Sequence, residues 1–361
     1  MDQPNNESQN EYQAIKPNET KKDKIELNKM GTMPVGKLMI SMSLPAMFSM
    51  IINALYNIVD SIFVGMIGES ALAAVTLIFP VQMLLISVGV GTGIGLNSLI
   101  SRRLGEQNFI EANSAANHGM LLAIINWVVF AVLGLFFSQP FVEAFSDSPE
   151  IVADGTSYCS IISVFSLFIL IQINVEKILQ ATGNMVIPMI CSLVGAITNI
   201  ILDPILIFGL LGAPELGVTG AAIATVFGQF LSMCLGLFFL CSREHEVKIS
   251  FHRFRTDWKI LKDIYSVGLP SIVMQAIGSV MLVGLNAILI SFSEAAVAVL
   301  GVYFRLQSFI FMPTFGLVQG AMPIFGYNYG AKNKKRLIEA FKMALKTAII
   351  IMTAGMILFQ L

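Results

Sequence analysis

Two acidic side chains interrupt long apolar stretches of this 361-residue sequence. Asp60 follows one such stretch, and Asp203 lies in another, four residues after Asn199 and directly before Pro204. Side chains four residues apart project from one face of a helix, so Asn199 and Asp203 should share a pocket. Proline removes a backbone donor and weakens the helix at that point. Carboxylates are costly in apolar surroundings, and Asp60 and Asp203 are therefore our first functional candidates.

The chemistry open to these groups is the capture of a proton or a cation. Desolvation and mutual repulsion would favour protonation of one carboxyl, so Asp60 or Asp203 could carry a proton across a membrane. The oxygens of Asp60, Asn199 and Asp203 could instead hold Na⁺. The structural alternative is that Asp60 caps a helix end near the lipid headgroups and that Asp203 bonds to neighbouring helices.

The composition assigns these acids to a membrane protein. Hydrophobic residues make up 55% of the chain and charged residues 12%, whereas about a quarter of the residues of a soluble domain are charged. The net charge of -1 gives no basis for nucleic acid binding. The four cysteines and three histidines lack metal-ligand spacing, so we expect loop histidines, no structural metal and no cofactor.

Apolar stretches long enough to cross a bilayer occur throughout the chain. A membrane-spanning helix needs about 20 apolar residues, and helices satisfy their own backbone hydrogen bonds in lipid. The nine predicted spans are 38–65, 71–100, 117–138, 156–180, 185–211, 218–242, 264–291, 296–326 and 337–361.

Basic residues alternate between the predicted loops. Lys and Arg lie before the first span and in the loops after spans 2, 6 and 8, and Lys177 lies near the loop after span 4. The loops after spans 1, 3, 5 and 7 contain none. The positive-inside rule therefore predicts a multi-pass inner-membrane protein with a cytoplasmic N-terminus. We interpret Glu176 and Lys177, near one end of the fourth span, as surface charges that snorkel.

An internal repeat relates residues at a constant offset of 225 positions, as between Pro45 and Pro270. The repeat unit contains six spans, so both copies have the same orientation. Parallel repeats of this kind are a transporter architecture, with the substrate cavity between two lobes. Asp60 aligns with Leu285, so ion coupling would be confined to the first lobe.

The repeat divides the chain into four predicted segments. Leu361 aligns inside the third span, so the second lobe would hold about three of its six helices. We therefore predict an all-α integral membrane protein, a two-lobe bundle with about nine of twelve helices. The segments are a disordered cytoplasmic tail (1–36), the first lobe (37–242), a linker (243–263) and a partial second lobe (264–361).

Four alternate glycines occur near the end of the second span, at positions 89, 91, 93 and 95. They resemble a phosphate-binding loop only superficially, because no strand precedes them and no Lys-Ser/Thr follows. Close packing between helices is the interpretation that we favour.

Several motifs resemble those of the multidrug and toxic compound extrusion (MATE) family. The stretch 199–209, with Asn199 and Asp203-Pro204, resembles that family's helix 5 signature. Leu55-Tyr56-Asn57 through Asp60 resembles its helix 1 motif. The segments 217–225 and 319–331 resemble its helix 6 and the exit of its helix 8. The resemblance runs from about Lys37 to Leu361, and the bacterial drug-exporting branch is nearest.

The resemblance implies a transporter rather than an enzyme. Its two lobes would rock between outward and inward states, and H⁺ or Na⁺ influx would drive export of small amphipathic or cationic drugs. A monomer in the lipid bilayer is expected. Position by position, the ion and proton cluster would be Asp60, Asn199, Asp203 and Thr225. The candidate residues of the substrate cavity are Tyr56, Gln180, Gln275 and Arg305. The alternative for Arg305, which follows Tyr303-Phe304 in the eighth span, is that it anchors that helix structurally.

Two other functions are open at the level of sequence. A lipid-linked saccharide flippase would share the helical layout but need a more cationic cavity for phosphate, for which Arg305 is available. A chain with an incomplete second lobe could also be a membrane fragment that does not transport.

Overall fold

The computed structural model describes residues 28–242, 246–250, 255–290 and 294–360. Within these ranges the chain forms eleven α-helices and one 3₁₀ turn, and no strand. The helices are α1 (Lys29–Thr32), α2 (Val35–Ile67), α3 (Glu69–Gly105), α4 (Phe109–Glu143), α5 (Pro149–Val164), α6 (Leu167–Ala181), α7 (Val186–Phe208), α8 (Gly217–Ser242), α9 (Trp258–Ile290), α10 (Glu294–Gly330) and α11 (Lys334–Gln360); the 3₁₀ turn is Leu210–Gly212.

The all-α membrane fold predicted from sequence is confirmed. In the described part of the chain, seven single helices are long and apolar enough to cross a membrane, and the bent pair α5–α6 adds an eighth. The 37-residue α10 occupies the remaining predicted span. Helices α2, α3 and α4 contain 33, 37 and 35 residues. They exceed the length that a bilayer requires, so their ends project beyond the apolar layer.

The fourth predicted span is not one continuous helix. Helices α5 and α6 meet at an angle of 44°. The carbonyl group of Val164, the last residue of α5, accepts a hydrogen bond of 2.7 Å from the Trp127 indole of α4. An interrupted helix leaves carbonyl groups without helical partners, and this contact satisfies one of them.

Close helix packing joins the first lobe (α2–α8) to the second lobe (α9–α11). A Cβ atom added at Gly91 of α3 would lie 2.8 Å from the backbone nitrogen of Ile272. One added at Gly316 of α10 would lie 2.7 Å from the backbone nitrogen of Met47. Both contacts obey the 225-residue offset. The prediction that these glycines serve close helix packing is confirmed.

The two lobes touch in one half of the bundle. We call the end with Arg102, Arg103 and Lys332 the basic end, and the end with residues 144–148 and 209–216 the acidic end. The Gly91 and Gly316 contacts lie in the basic half. Toward the acidic end, a Cβ atom built at Gly65 or Gly278 meets no atom within 4 Å. The lobes therefore meet near the basic end and diverge toward the acidic end.

The segment before α2 is packed against both lobes. Asn28 donates from Nδ2 to the Thr182 carbonyl oxygen at 3.0 Å. The carbonyl oxygen of Met30, a fully buried residue, accepts from Arg336 Nε at 3.1 Å. The prediction of a disordered tail is therefore wrong for residues 28–36, and the rest of that tail lies outside the described residues.

The inter-lobe linker, predicted at 243–263, lies along the basic end of α4 where it is described. The side chain of Asn117 exchanges two hydrogen bonds with the backbone of Ser250, at 2.9 and 3.0 Å. His118 Nε2 accepts from the Asp257 N–H at 2.8 Å. His118 is fully buried within α4, so the expectation of a loop histidine was wrong for it. The other two histidines lie outside the described residues.

Candidate functional site

Helices α2 and α7 carry the two acids toward the acidic end of the first lobe. Asp60 lies two turns before the end of α2, and Asp203 lies in the last two turns of α7. Helix α7 continues through Pro204 and ends at Phe208. Gly209 follows it, with a φ of 69° in the left-handed conformation typical of a helix C-cap. Asp203 is fully buried, and Asp60 is partly buried.

Hydrogen bonds join α7 to α8, and α2 lies beside them. Asn199 donates from Nδ2 to Asp203 Oδ1 and to Thr225 Oγ1, both at 3.2 Å. The Tyr56 side chain on α2 lies next to Thr225. Asn199 and Thr225 are 2% and 3% exposed, so solvent competes little for these bonds. The structure thus brings the four predicted ion-site residues together, with Tyr56 beside them.

The two carboxyls share one pocket and lie close enough to interact with each other. Asp60 Oδ1, Asp203 Oδ2 and Asn199 Oδ1 are buried without a hydrogen-bond donor. Three unpartnered oxygens in one pocket suit either a shared proton or a small hard cation such as Na⁺. The donor set therefore fits the predicted ion.

Tyr158 of α5 also belongs to this pocket, and the sequence did not indicate it. It is 2% exposed and lies within electrostatic range of Tyr56, Asp60 and Asp203. A buried tyrosine usually finds a polar partner for its hydroxyl, and this preference was the available signal.

The interpretation of Glu176 and Lys177 as snorkelling surface charges is wrong. Lys177 is 6% exposed and donates from Nζ to the Oε1 atoms of Gln180 and Gln319, each at 2.9 Å. Glu176 turns toward α7 and accepts from Ser192 Oγ at 3.3 Å. Gln180 therefore lies where α6 meets α10, apart from the acid pocket. Gln319, which completes this contact, was not among the predicted residues.

The two remaining cavity candidates lie in the second lobe. Gln275 is partly buried on α9, and its Nε2 lies 3.4 Å from the Ser271 carbonyl oxygen of the same helix. Arg305 belongs to α10, and its side chain lies outside the described residues. Leu285, the repeat counterpart of Asp60, is on α9.

The sequence also matches a known family. Residues 45–205 and 270–361 fit the family model described as MatE. The chain belongs to the MatE family. This MatE chain is 26% identical over 325 residues to the multidrug export protein MepA of Staphylococcus saprophyticus, a match that covers 90% of this chain and 71% of the relative. It is 28% identical over 326 residues to the FAD transporter of Shewanella oneidensis, a match that covers 89% of this chain and 71% of that relative.

Solved MatE-like structures have the same fold. One is described as the outward-facing conformation of a multidrug resistance MATE family transporter of the MOP superfamily. It superimposes with a TM-score of 0.84 at 30% identity, over 91% of this chain and 72% of that one. A MOP superfamily transporter from Pyrococcus furiosus gives 0.85 at 30% identity and the same coverage. The resemblance seen in the sequence is thereby confirmed, and this MatE chain is a multi-pass membrane protein of a transporter family.

Proposed function

We propose that the protein is a secondary active antiporter that exports small amphipathic or cationic molecules in exchange for H⁺ or Na⁺. The observation that carries the proposal is that Asp60 and Asp203 share one buried pocket. One oxygen of each acid and the amide oxygen of Asn199 have no hydrogen-bond donor there. Two adjacent carboxylates repel each other when both are ionised. A proton or Na⁺ between them removes that repulsion, so the occupied and empty pockets differ in free energy.

Helix α2 links this pocket to the contact between the lobes. Asp60 lies in its acidic half, and Met47 lies in its basic half against Gly316 of α10. A shift of α2 on ion binding therefore acts directly on the inter-lobe contact. Reversal of a two-state equilibrium from 1:99 to 99:1 requires a difference in binding free energy of about 5.5 kcal/mol.

The proposed orientation places the basic end in the cytoplasm of a bacterium and the acidic end outside its inner membrane. With the lobes in contact at the basic end, the described arrangement is then an outward-facing state. An ion from outside reaches Asp60 and Asp203, while the cargo leaves through the open acidic side. We propose that one chain, as a monomer, carries out this cycle.

The test is gradient-driven ethidium efflux from proteoliposomes that contain Asp60→Asn or Asp203→Asn. We expect each variant to lose at least about tenfold of the efflux rate, since the neutral amide removes the charge that the ion must balance. Glu215→Gln, at an exposed acid of the acidic end, is the matched control and should transport normally. Separate pH and Na⁺ gradients identify the coupling ion, and full efflux by both asparagine variants would reject the proposal.

A lipid-linked saccharide flippase is the alternative function. It would move a phosphate-linked lipid and leave ethidium inside the vesicles. Gradient-dependent ethidium efflux by the unmodified protein therefore decides between the two. A chain that moves neither cargo would be the non-transporting fragment.

A further inference from the structure

Packing and hydrogen bonds hold Lys177 in a fixed position at the contact between the lobes. Its stem crosses Gly93 of α3 so closely that a Cβ atom at position 93 would lie 2.7 Å from Lys177 Cγ. Asn97 Nδ2 donates to the Lys177 carbonyl oxygen at 3.0 Å and ties this turn of α6 to α3. The ammonium group is thus directed toward α10 by its surroundings.

The partners of this ammonium group are neutral. Gln180 and Gln319 each offer an amide oxygen at 2.9 Å. Glu176, its neighbour in sequence, is turned away and accepts from Ser192 and from Gln172 Nε2, the latter at 3.0 Å. Among the described residues, none of the ion pairs within 4.0 Å includes Lys177. Glu176 acts on Lys177 only from beyond that distance. A buried cation without a counter-charge in direct contact is costly and marks a functional position.

Movement of the lobes changes this set of partners. Gln180 lies on the same helix as Lys177 and moves with it. Gln319 belongs to the second lobe. Its Nε2 also contacts the first lobe, 3.8 Å from Met50 Sδ of α2. Separation of the lobes at the basic end withdraws Gln319, so Lys177 loses one acceptor and faces the opening cleft.

We propose that Lys177 binds the anionic group of a cargo molecule, a carboxylate, sulfonate or phosphate, when the lobes part at the basic end. The proposal rests on the transport function proposed above and widens its substrate class to anionic amphipathic molecules. A compact ammonium group is a suitable partner for such anions. On closure, Gln319 returns to Lys177, takes the place of the anion and releases the cargo toward the acidic end.

The test compares efflux of two dyes from proteoliposomes, cationic ethidium and anionic carboxyfluorescein. Lys177→Gln should slow carboxyfluorescein efflux at least tenfold and leave ethidium efflux within twofold. Lys177→Arg keeps the charge and should retain both activities. Lys342→Gln, at an exposed lysine of α11, is the control for loss of a positive charge elsewhere. Ethidium efflux by Lys177→Gln also shows that this variant folds.

Four results would overturn the proposal. Equal loss of both dyes in Lys177→Gln would make the lysine a purely structural contact. Export of ethidium without carboxyfluorescein by the unmodified protein would reject the anion site and leave the antiport proposal standing, whereas export of neither dye would reject antiport itself. If Lys177→Gln is not recovered, Gln319→Leu replaces it. That variant keeps the lysine but lacks the amide that displaces the anion, so carboxyfluorescein efflux should slow severalfold while ethidium efflux stays within twofold. Unchanged carboxyfluorescein efflux would reject the proposal.

Discussion

Gly105 and Gly330 make matching contacts across the two lobes. A Cβ atom at Gly105 would overlap the Tyr327 carbonyl oxygen, and one at Gly330 would overlap the Arg102 carbonyl oxygen. Positions 102 and 327 are related by the same 225-residue offset as the two glycines. The sequence repeat is therefore also a two-fold symmetry of the inter-lobe contact. Glycine is needed at both positions because only it permits backbones to approach so closely.

Substitution of Gly95, or of its counterpart Gly320, by alanine should prevent the close contact between the two lobes at the basic end. A Cβ atom at Gly95 would overlap the Ile264 carbonyl oxygen, and one at Gly320 would lie 2.6 Å from Ser43 Cα. We expect both variants to separate the lobes at the basic end, and the symmetry predicts effects of similar size. Hydrogen exchange of the backbone amides of residues 264–272 measures the separation and should accelerate at least severalfold.

Gly278→Ala is the control for these variants. It lies on α9, and a Cβ atom there meets nothing within 4 Å. In a helix interior this change stabilises by roughly 0.5–1 kcal/mol and should leave exchange at 264–272 unchanged. If Gly95→Ala and Gly278→Ala behave alike, the glycine contacts do not hold the lobes together.

Removal of the Thr225 hydroxyl should weaken the ion pocket. In Thr225→Val, the Asn199 amide loses one of its two acceptors. An unsatisfied buried polar group costs about 1–3 kcal/mol, so ion affinity should fall about 5- to 150-fold. This ion affinity is measured as the ion concentration that gives half-maximal ethidium efflux.

Thr76→Val is the matched control for Thr225→Val. Its exposed hydroxyl bonds only to the Leu72 carbonyl oxygen of the same helix, at 2.7 Å. An identical ion dependence for Thr225→Val, Thr76→Val and the unmodified protein would remove Thr225 from the site.

Glu246 should make stability depend on pH. Burial raises the pKa of Glu246 above its ordinary value of 4.5, while the hydrogen bond from Asn28 Nδ2 at 2.8 Å lowers it in part. With a higher pKa in the folded state, the contribution of Glu246 to stability is full below pH 4.5. It is lost as the pH rises through the folded pKa. Glu246→Gln keeps an oxygen for Asn28 without the charge and should be more stable at pH 7.

Thermal unfolding in detergent at pH 4 and pH 7 measures this effect. We expect Glu246→Gln to unfold about 2–4 °C higher at pH 7 and at the same temperature as the unmodified protein at pH 4. Glu339→Gln, at an exposed acid of α11, controls for the change of net charge. A gain at pH 4 as large as the gain at pH 7 would contradict the assignment.

Asp263→Asn should have a small, salt-dependent effect. Asp263 of α9 lies 3.4 Å from Arg102 and 3.6 Å from Arg103, across the lobes. These side chains are partly exposed, and such pairs contribute about 0.2–1 kcal/mol each. The variant should therefore unfold slightly earlier at low ionic strength and together with the unmodified protein in about 1 M salt, where charges are screened. A large loss that persists in salt would mean that Asp263 has a role beyond ion pairing.

Local patterns were enough to predict the acid pocket. The spacing of Asn199 and Asp203 placed both side chains on one face of α7. Alternation of basic and acidic loops placed Asp60 at a similar depth on α2. The contact of Thr225 with Asn199 joins α8 to α7, and periodicity alone does not predict that pairing. Its inclusion depended on the family motif.

The environment of Lys177 was not predictable from its own stretch of sequence. The helix break before it follows Val164 and contains no glycine or proline, so residues 156–180 were interpreted as one continuous span. A tertiary contact from Trp127 marks the break. Gln319, which completes the surroundings of Lys177, is 142 residues away in sequence. Long-range contacts of this kind leave no local signal.

The hydrogen bond from Trp127 to the helix break also provides an intrinsic fluorescent reporter. The chain has two tryptophans. The partly buried Trp127 lies at the bend, and Trp258, 79% exposed, begins α9. Replacement of Trp258 by phenylalanine would leave one emitting indole, whose colour and intensity depend on the surroundings of the bend between α5 and α6. A change at this bend would then be detected in unlabelled protein as cargo and ion are added.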